Sequence, residues 1–167
     1  MTGQIVQVNL SRGGLPKRAV AESYLEPLGF EGDEHAHPKF HGGPMKAVLI
    51  VCAEAVDQLI ADGFPLFYGA LGENLTVSGA DRRQLRPGQR WRAGGAIVEL
   101  TTLRIPCSAL TVYDLPDRPI RGAIWDALTK AGDPSSPVWA TAGFYASVSQ
   151  SGLVRPGDPF ALLDQFV

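Results

Sequence analysis

Two cysteines and three histidines hold much of the chemistry open to this 167-residue chain. Cys107 closes the apolar run Ala96-Ile97-Val98-Glu99-Leu100-Thr101-Thr102-Leu103-Arg104-Ile105-Pro106-Cys107. Its thiol therefore falls where a strand leaves a sheet, a common place for reactive groups to be displayed. Only Ile105 and Pro106 separate it from Arg104, so a cation stands near the sulfur. That setting makes Cys107 a candidate metal ligand or nucleophile, against the plain alternative of a small buried hydrophobe. Cys52, between an apolar strand and a helix, reads as packing.

All three histidines fall within seven positions of the stretch Gly32-Asp33-Glu34-His35-Ala36-His37-Pro38-Lys39-Phe40-His41-Gly42-Gly43-Pro44. The stretch is polar, glycine-rich and followed by a buried strand, which predicts a loop whose imidazoles and amides converge on something anionic or metallic. Gly42-Gly43 would let the backbone approach a ligand closely. Two other readings stay open: a solvated loop with turn histidines, or a zinc site of His35, His37 and His41 whose spacing departs from the usual zinc patterns. A second motif, Leu71-Gly72-Glu73-Asn74-Leu75-Thr76, offers a carboxylate as acceptor or base and an amide as donor and acceptor. Asn74 serves equally well as a turn residue bonding its own backbone.

The elements that must position these groups are mostly strands. Nineteen glycines and thirteen prolines are too many for a helical bundle and punctuate short strands. Strands are predicted at 5–10, 19–25, 47–51, 75–77, 89–92, 96–103, 144–148 and 160–163 from alternation and β-branched content. Ala93-Gly94-Gly95 is a predicted hairpin turn. Phe144 and Tyr145 alternate, so one belongs to the core and the other points outward or to a pocket rim. Apolar spacing predicts helices over 53–62, closed by Gly63, and over 121–131, closed by Gly132. Two helices cannot cover a parallel sheet. The expected class is mainly β: a closed or partly closed barrel of mostly antiparallel strands with two or more decorating helices. No linker or repeat divides the chain, so one domain over 1–167 is expected.

A net charge of −2 and scattered basic residues argue against nucleic acid. No apolar run reaches membrane-spanning length, and Met1-Thr2-Gly3-Gln4 lacks the basic start of an export signal. Two distant cysteines make no disulfide framework, so free thiols and a cytoplasmic location are expected.

In order along the chain, Gly32-Asp33 with His35, His41-Gly42-Gly43, Gly72-Glu73-Asn74-Leu75, Arg104 with Pro106-Cys107, and Gly143-Phe144-Tyr145 through Gly157-Asp158 resemble the MOSC domain, named after the C-terminal part of eukaryotic molybdenum cofactor sulfurases. The resemblance spans roughly Gln4 to Leu163. It implies a β-barrel that binds the molybdenum cofactor (molybdopterin), with Cys107 as metal ligand or sulfur carrier. Arg104, Asn74, His35, His41, Asp33 and the Gly42-Gly43 amides are then nominated to hold pterin and phosphate, and Glu73 to accept from pterin N–H groups or relay protons. Cys107, His41 and Glu73 make up the catalytic set.

Larger relatives fuse this domain to a pyridoxal-phosphate-dependent cysteine desulfurase or to iron–sulfur and flavin modules. No pyridoxal phosphate lysine site or four-thiolate cluster is visible in the sequence; a stand-alone, bacterial-type member is expected, without the C-terminal helical extension of bacterial relatives. The implied function is reduction of N-hydroxylated or N-oxygenated small molecules, with electrons from a separate redox partner. Two alternatives stand beside it: a Cys107 persulfide carrier, loaded by a cysteine desulfurase, in molybdenum cofactor or metal–sulfur cluster metabolism, and a non-catalytic barrel that binds a small anion. The substrate and oligomeric state are left open.

Overall fold

The computed structural model describes residues 1–35 and 42–164. Its strands are β1 (Thr2–Leu10), β2 (Arg18–Val20), β3 (Ser23–Glu26), β4 (Gly29–Phe30), β5 (Val48–Cys52), β6 (Leu75–Ser78), β7 (Arg90–Ala93), β8 (Ala96–Leu103), β9 (Phe144–Gln150), β10 (Gly152–Val154) and β11 (Pro159–Asp164). Helices α1 (Ala53–Ala61), α2 (Ile120–Ile124) and α3 (Ala127–Lys130) decorate them. Seven strands close into a ring in the order β1-β11-β7-β8-β9-β5-β6, because β6 and β11 both pair with β1. Closure removes the exposed edges that an open sheet would leave.

Every neighbouring pair in the ring is antiparallel except β5 and β6. The exception follows from α1, which starts directly after β5 and gives the chain the crossover that a parallel pair requires. The sheet expectation of a mainly β, mostly antiparallel barrel therefore holds, with one parallel seam.

The two-glycine hairpin forms as expected: Ala93 pairs with Ala96 across Gly94-Gly95, and Gly94 takes φ 59. One predicted strand divides. Within 19–25, β2 pairs with β1 while β3 pairs with β10 in a separate three-stranded sheet, so the chain changes sheets between them. The predicted helix over 121–131 also breaks in two. Trp125 is extended (φ −151°, ψ 133°), and the Asp126 carboxylate accepts from the Thr129 amide at 2.7 Å to start α3. A good N-cap residue inside an apolar period ended one helix and began another.

Strand β5 is buried along its whole length because it lies between two cores. Ile50 and Val48 join the barrel interior with Ile5, Val77, Val98 and Phe144, where Trp91 stacks on Phe160 at 4.5 Å. Val51 joins the second core with Val56 and Leu59 of α1, Phe64, Leu71 and Ile124. Burial on both faces explains why this segment reads as an unbroken apolar run instead of an alternation. Among the described residues, no helix is long and apolar enough to cross a membrane.

Close approach of backbones generates a stability prediction. A Cβ on Gly152 would collide with the Gly95 main chain, whereas one on Gly122 in α2 would meet nothing within 4 Å. Gly152→Ala should therefore lower unfolding free energy by about 1–3 kcal/mol, and Gly122→Ala should raise it by up to about 1 kcal/mol. Urea unfolding of the two variants against wild type checks both signs.

Candidate functional site

At one end of the barrel, six separate segments wall a cavity of about 130 Å³. Leu15 and Lys17 come from the β1–β2 connection, His35 from the segment after β4, Lys46 and Leu49 from the approach to and body of β5, Asn74 from the start of β6, Arg104 and Cys107 from the exit of β8, and Tyr145 from β9.

Cys107 stands at the N-terminal end of a 3-10 turn over Ser108–Tyr113 with extended backbone, and its side chain makes no capping bond. The residue is half-buried, packed on one side against the second core and bordering the cavity on the other. Arg121 donates to the Pro106 carbonyl at 2.7 Å, which pins the segment carrying the thiol.

Arg104 is 3% exposed and has no carboxylate in ion-pair contact among the described residues. Its guanidinium donates to the Leu71 carbonyl at 2.8 Å and the Ala142 carbonyl at 3.4 Å, while Nε has no partner among the described residues. A buried cation solvated only by carbonyls retains much of its field for an anion placed in the cavity.

Asn74 does not bond its own backbone through its side chain. Oδ1 accepts from the Leu49 amide at 3.1 Å, and Nδ2 donates to the Asn9 carbonyl at 3.3 Å and to Asp33 at 2.9 Å. Asp33 also accepts from Lys17 Nζ at 2.7 Å and the Ser11 amide at 3.0 Å. The Lys17–Asp33 ion pair is buried, with side chains 7% and 1% exposed. Asp33 thus stands behind the cavity wall and fixes Lys17 and Asn74, which form it.

His35 rests against Gly42, where a Cβ would lie 2.8 Å from the imidazole. Burial lowers the His35 pKa; the Asp33 charge opposes this and the Lys17 charge adds to it. Burial likewise raises the Tyr145 phenol, with Arg104 lowering it and Cys107 raising it. The phenol is accordingly a neutral proton donor at pH 7. Lys46 Nζ lies 5.2 Å from the centre of the Tyr145 ring, within cation–π range.

Several nominated residues fall elsewhere. Glu73 does not reach the cavity: it is fully buried, its Oε1 accepting from the Gly69 amide at 2.6 Å and from Thr76 at 3.2 Å. Its role is to close the turn before β6, and burial raises its pKa. Gly42 supports His35 and Gly43 precedes a 3-10 turn over Pro44–Lys46; neither walls the cavity. His37 and His41 lie outside the described residues, so the three-histidine zinc site has only His35 within them. Among the described residues there is no cluster of three or more His, Cys, Asp or Glu fit to hold a metal.

Sequence reasoning missed Lys17 and Lys46 and placed Tyr145 only as one of two rim choices. Lys17 follows Gly13-Gly14 and Lys46 follows Gly42-Gly43, so a lysine shortly after a glycine pair was the available signal.

The structure is a closed barrel with a thiol and three basic side chains around one cavity. A sequence profile of the MOSC domain matches residues 37–161, and the chain belongs to the MOSC domain family. It is 30% identical over 153 residues to the uncharacterized protein YflK of Bacillus subtilis (strain 168), covering 90% of this chain and 62% of that one. It is 36% identical over 104 residues to protein YiiM of Escherichia coli (strain K12), covering 58% of this chain and 45% of that one. The chain thus spans less than two thirds of the length of these curated relatives. The crystal structure of YiiM from Geobacillus stearothermophilus superposes with a TM-score of 0.71 at 26% identity, covering 97% of this chain and 75% of the other. YiiM from Escherichia coli gives 0.70 at 25% identity, covering 99% and 71%.

Two outcomes follow from the buried charges. Asp33→Ala leaves Lys17 without its counter-ion and should cost about 3–5 kcal/mol of stability, read by urea unfolding. His35 has a folded pKa below its unfolded one, so the unfolded chain takes up the proton first and stability falls as pH drops below about 6.5. His35→Gln should flatten that part of a stability–pH curve recorded between pH 7.5 and 5 by thermal melts.

Proposed function

We propose that this MOSC protein holds a molybdenum cofactor with Cys107 as the thiolate ligand of the metal, and that it reduces N-hydroxylated or N-oxygenated small molecules with electrons from a separate protein. The observation that carries this reading is the juxtaposition of the half-buried Cys107 thiol with Lys17, Lys46 and Arg104 around one cavity.

The donor set fits such a group. Thiolate is a soft ligand suited to molybdenum, and a pterin phosphate needs cationic donors. Arg104 Nε, buried and without a partner among the described residues, is the kind of donor that a bound anion would satisfy. Lys17 spends bonds on Ser11 and Asp33, which leaves one of an ammonium's three N–H groups for a ligand. The small cavity admits only the reacting end of so large a cofactor, so the rest would lie at its mouth.

When bound, the cofactor supplies a two-electron centre for reductive cleavage of an N–O bond. The net change R–NHOH + 2 e⁻ + 2 H⁺ → R–NH₂ + H₂O needs two protons; among the wall residues the phenol of Tyr145 can donate one, and the imidazole of His35, whose pKa burial lowers, can relay a proton from solvent but does not store one. Asp33 holds Lys17 and Asn74 in place, while Leu15, Leu49 and Leu71 keep part of the wall apolar, which strengthens the field of the cations.

A second reading rests on the incomplete burial of the same thiol: Cys107 accepts a persulfide from a cysteine desulfurase and passes the sulfur on. Protein expressed with molybdate and purified without air separates the two. The first reading expects about one molybdenum per chain, falling tenfold or more in Cys107→Ser and about tenfold in Lys17→Met. Metal-free protein carrying one extra sulfur on Cys107 by mass spectrometry would replace it with the second, and metal content untouched by Cys107→Ser would overturn both.

A further inference from the structure

A second cleft, of about 590 Å³, opens on another part of the molecule and shares no wall residue with the Cys107 cavity. Helix α1 forms one side with Glu54 and Gln58, residues 79–83 after β6 form another, and residues 137–141 form a third. Its size is that of small-molecule sites.

The charges lining it are not all spoken for in the same way. Asp81 accepts from Arg83 Nε and Nη2 at 3.0 Å each, and Glu54 accepts from the Gly79 amide at 2.8 Å. Asp62 accepts from Gln58 at 3.0 Å and faces Arg118 at 3.7 Å. Every carboxylate thus has a partner. Arg82 differs: it donates to the Trp139 carbonyl at 2.6 Å and the Pro137 carbonyl at 2.8 Å and has no carboxylate in ion-pair contact among the described residues. Two bonds out of a guanidinium's five N–H donors leave three to offer.

An independent feature of the same wall is Thr141. It is 5% exposed, and its hydroxyl has no hydrogen-bond partner among the described residues. A buried hydroxyl without a partner is costly. Cys52, also on the wall, has its thiol pushed up to about 12 by burial, so it is an uncharged neighbour and no competing anion.

We propose that this cleft is a binding site for a small oxyanion, the phosphate or carboxylate end of a metabolite, held by the free N–H groups of Arg82 and the hydroxyl of Thr141. The pair supplies a cation preset by two carbonyls and a donor waiting for an acceptor. The site stands apart from the molybdenum reading and survives or falls without it.

The test titrates inorganic phosphate, and separately acetate, into ¹⁵N-labelled full chain at constant ionic strength and follows amide shifts. The expected result is saturable shifts confined to residues 79–83 and 138–142 with at least one anion, the tighter one naming the chemical group. Arg82→Gln should weaken that binding about tenfold or more. Because Arg82 also anchors the 137–139 segment, Thr141→Val is the second variant: it removes an unpartnered buried hydroxyl, so it should raise the melting temperature by about 2–4 °C while weakening binding several-fold. Shifts that rise linearly without saturating, that fall only around Lys17 and Arg104, or that keep wild-type affinity in Thr141→Val overturn the proposal.

Discussion

The buried contact between Lys17 and Asp33 is the constraint on which the cavity depends. Removing two charges from water costs several kcal/mol each, and a buried pair is tolerable only when the remaining bonding capacity is filled. Here it is filled by Asn74 and the Ser11 amide on Asp33 and by Ser11 Oγ on Lys17. The same bonds tie the β1–β2 connection, the segment after β4 and the start of β6 to one another. Three pieces of chain far apart in sequence, two of them also joined by the Arg12–Glu34 bridge, thereby become one rigid wall.

The opposite wall is built on another economy. Arg104 has no carboxylate in ion-pair contact among the described residues; the carbonyls of Leu71 and Ala142 accept from it instead. Glu73 is near enough to lower its own pKa through the Arg104 charge, yet burial dominates and raises it. Burial disfavours charge on Glu73, and the guanidinium, bonded to carbonyls and not to a carboxylate, keeps its field at the cavity it lines. Cys107 and Tyr145 sit in that field, which connects the packing of the barrel end to the chemistry proposed for it.

How far the sequence reveals this depends on the range of the interaction that decides each feature. The bounds of β8 at Ala96 and Leu103, α1 to within a residue, and the Gly94-Gly95 turn are legible in the sequence, because alternation, helical period and glycine conformation are local. The helix over 121–131 failed for an equally local reason, a capping aspartate that fits the apolar period only by position. The site was harder. Glu73 and Asn74 are adjacent and were nominated together, but neighbouring side chains diverge, and which of them faces the cavity is settled by Asn9, Leu49 and Asp33. Lys17 has only the preceding Gly13-Gly14 pair to mark it in the sequence, because its partners Asp33 and Ser11 are brought to it by folding. His41 lies outside the described residues.

Strand β5 explains why the Cys107 cavity and the Arg82 cleft lie apart. Its apolar side chains feed both cores, so polar groups are driven off it to either end of its length. At its start, Leu49 N is bonded by Asn74 and the Cys107 cavity forms; at its end, Cys52 passes into α1 and the Arg82 cleft forms. The parallel β5–β6 seam makes this separation firm, since β6 runs in the same direction and begins with Leu75, directly after Asn74, at the first cleft and reaches Gly79 at the second. An antiparallel seam would have returned the chain after β6 to the same end as Asn74's partner loop. The crossover through α1 is what carries residues 79–83, and Arg82 with them, to the far end.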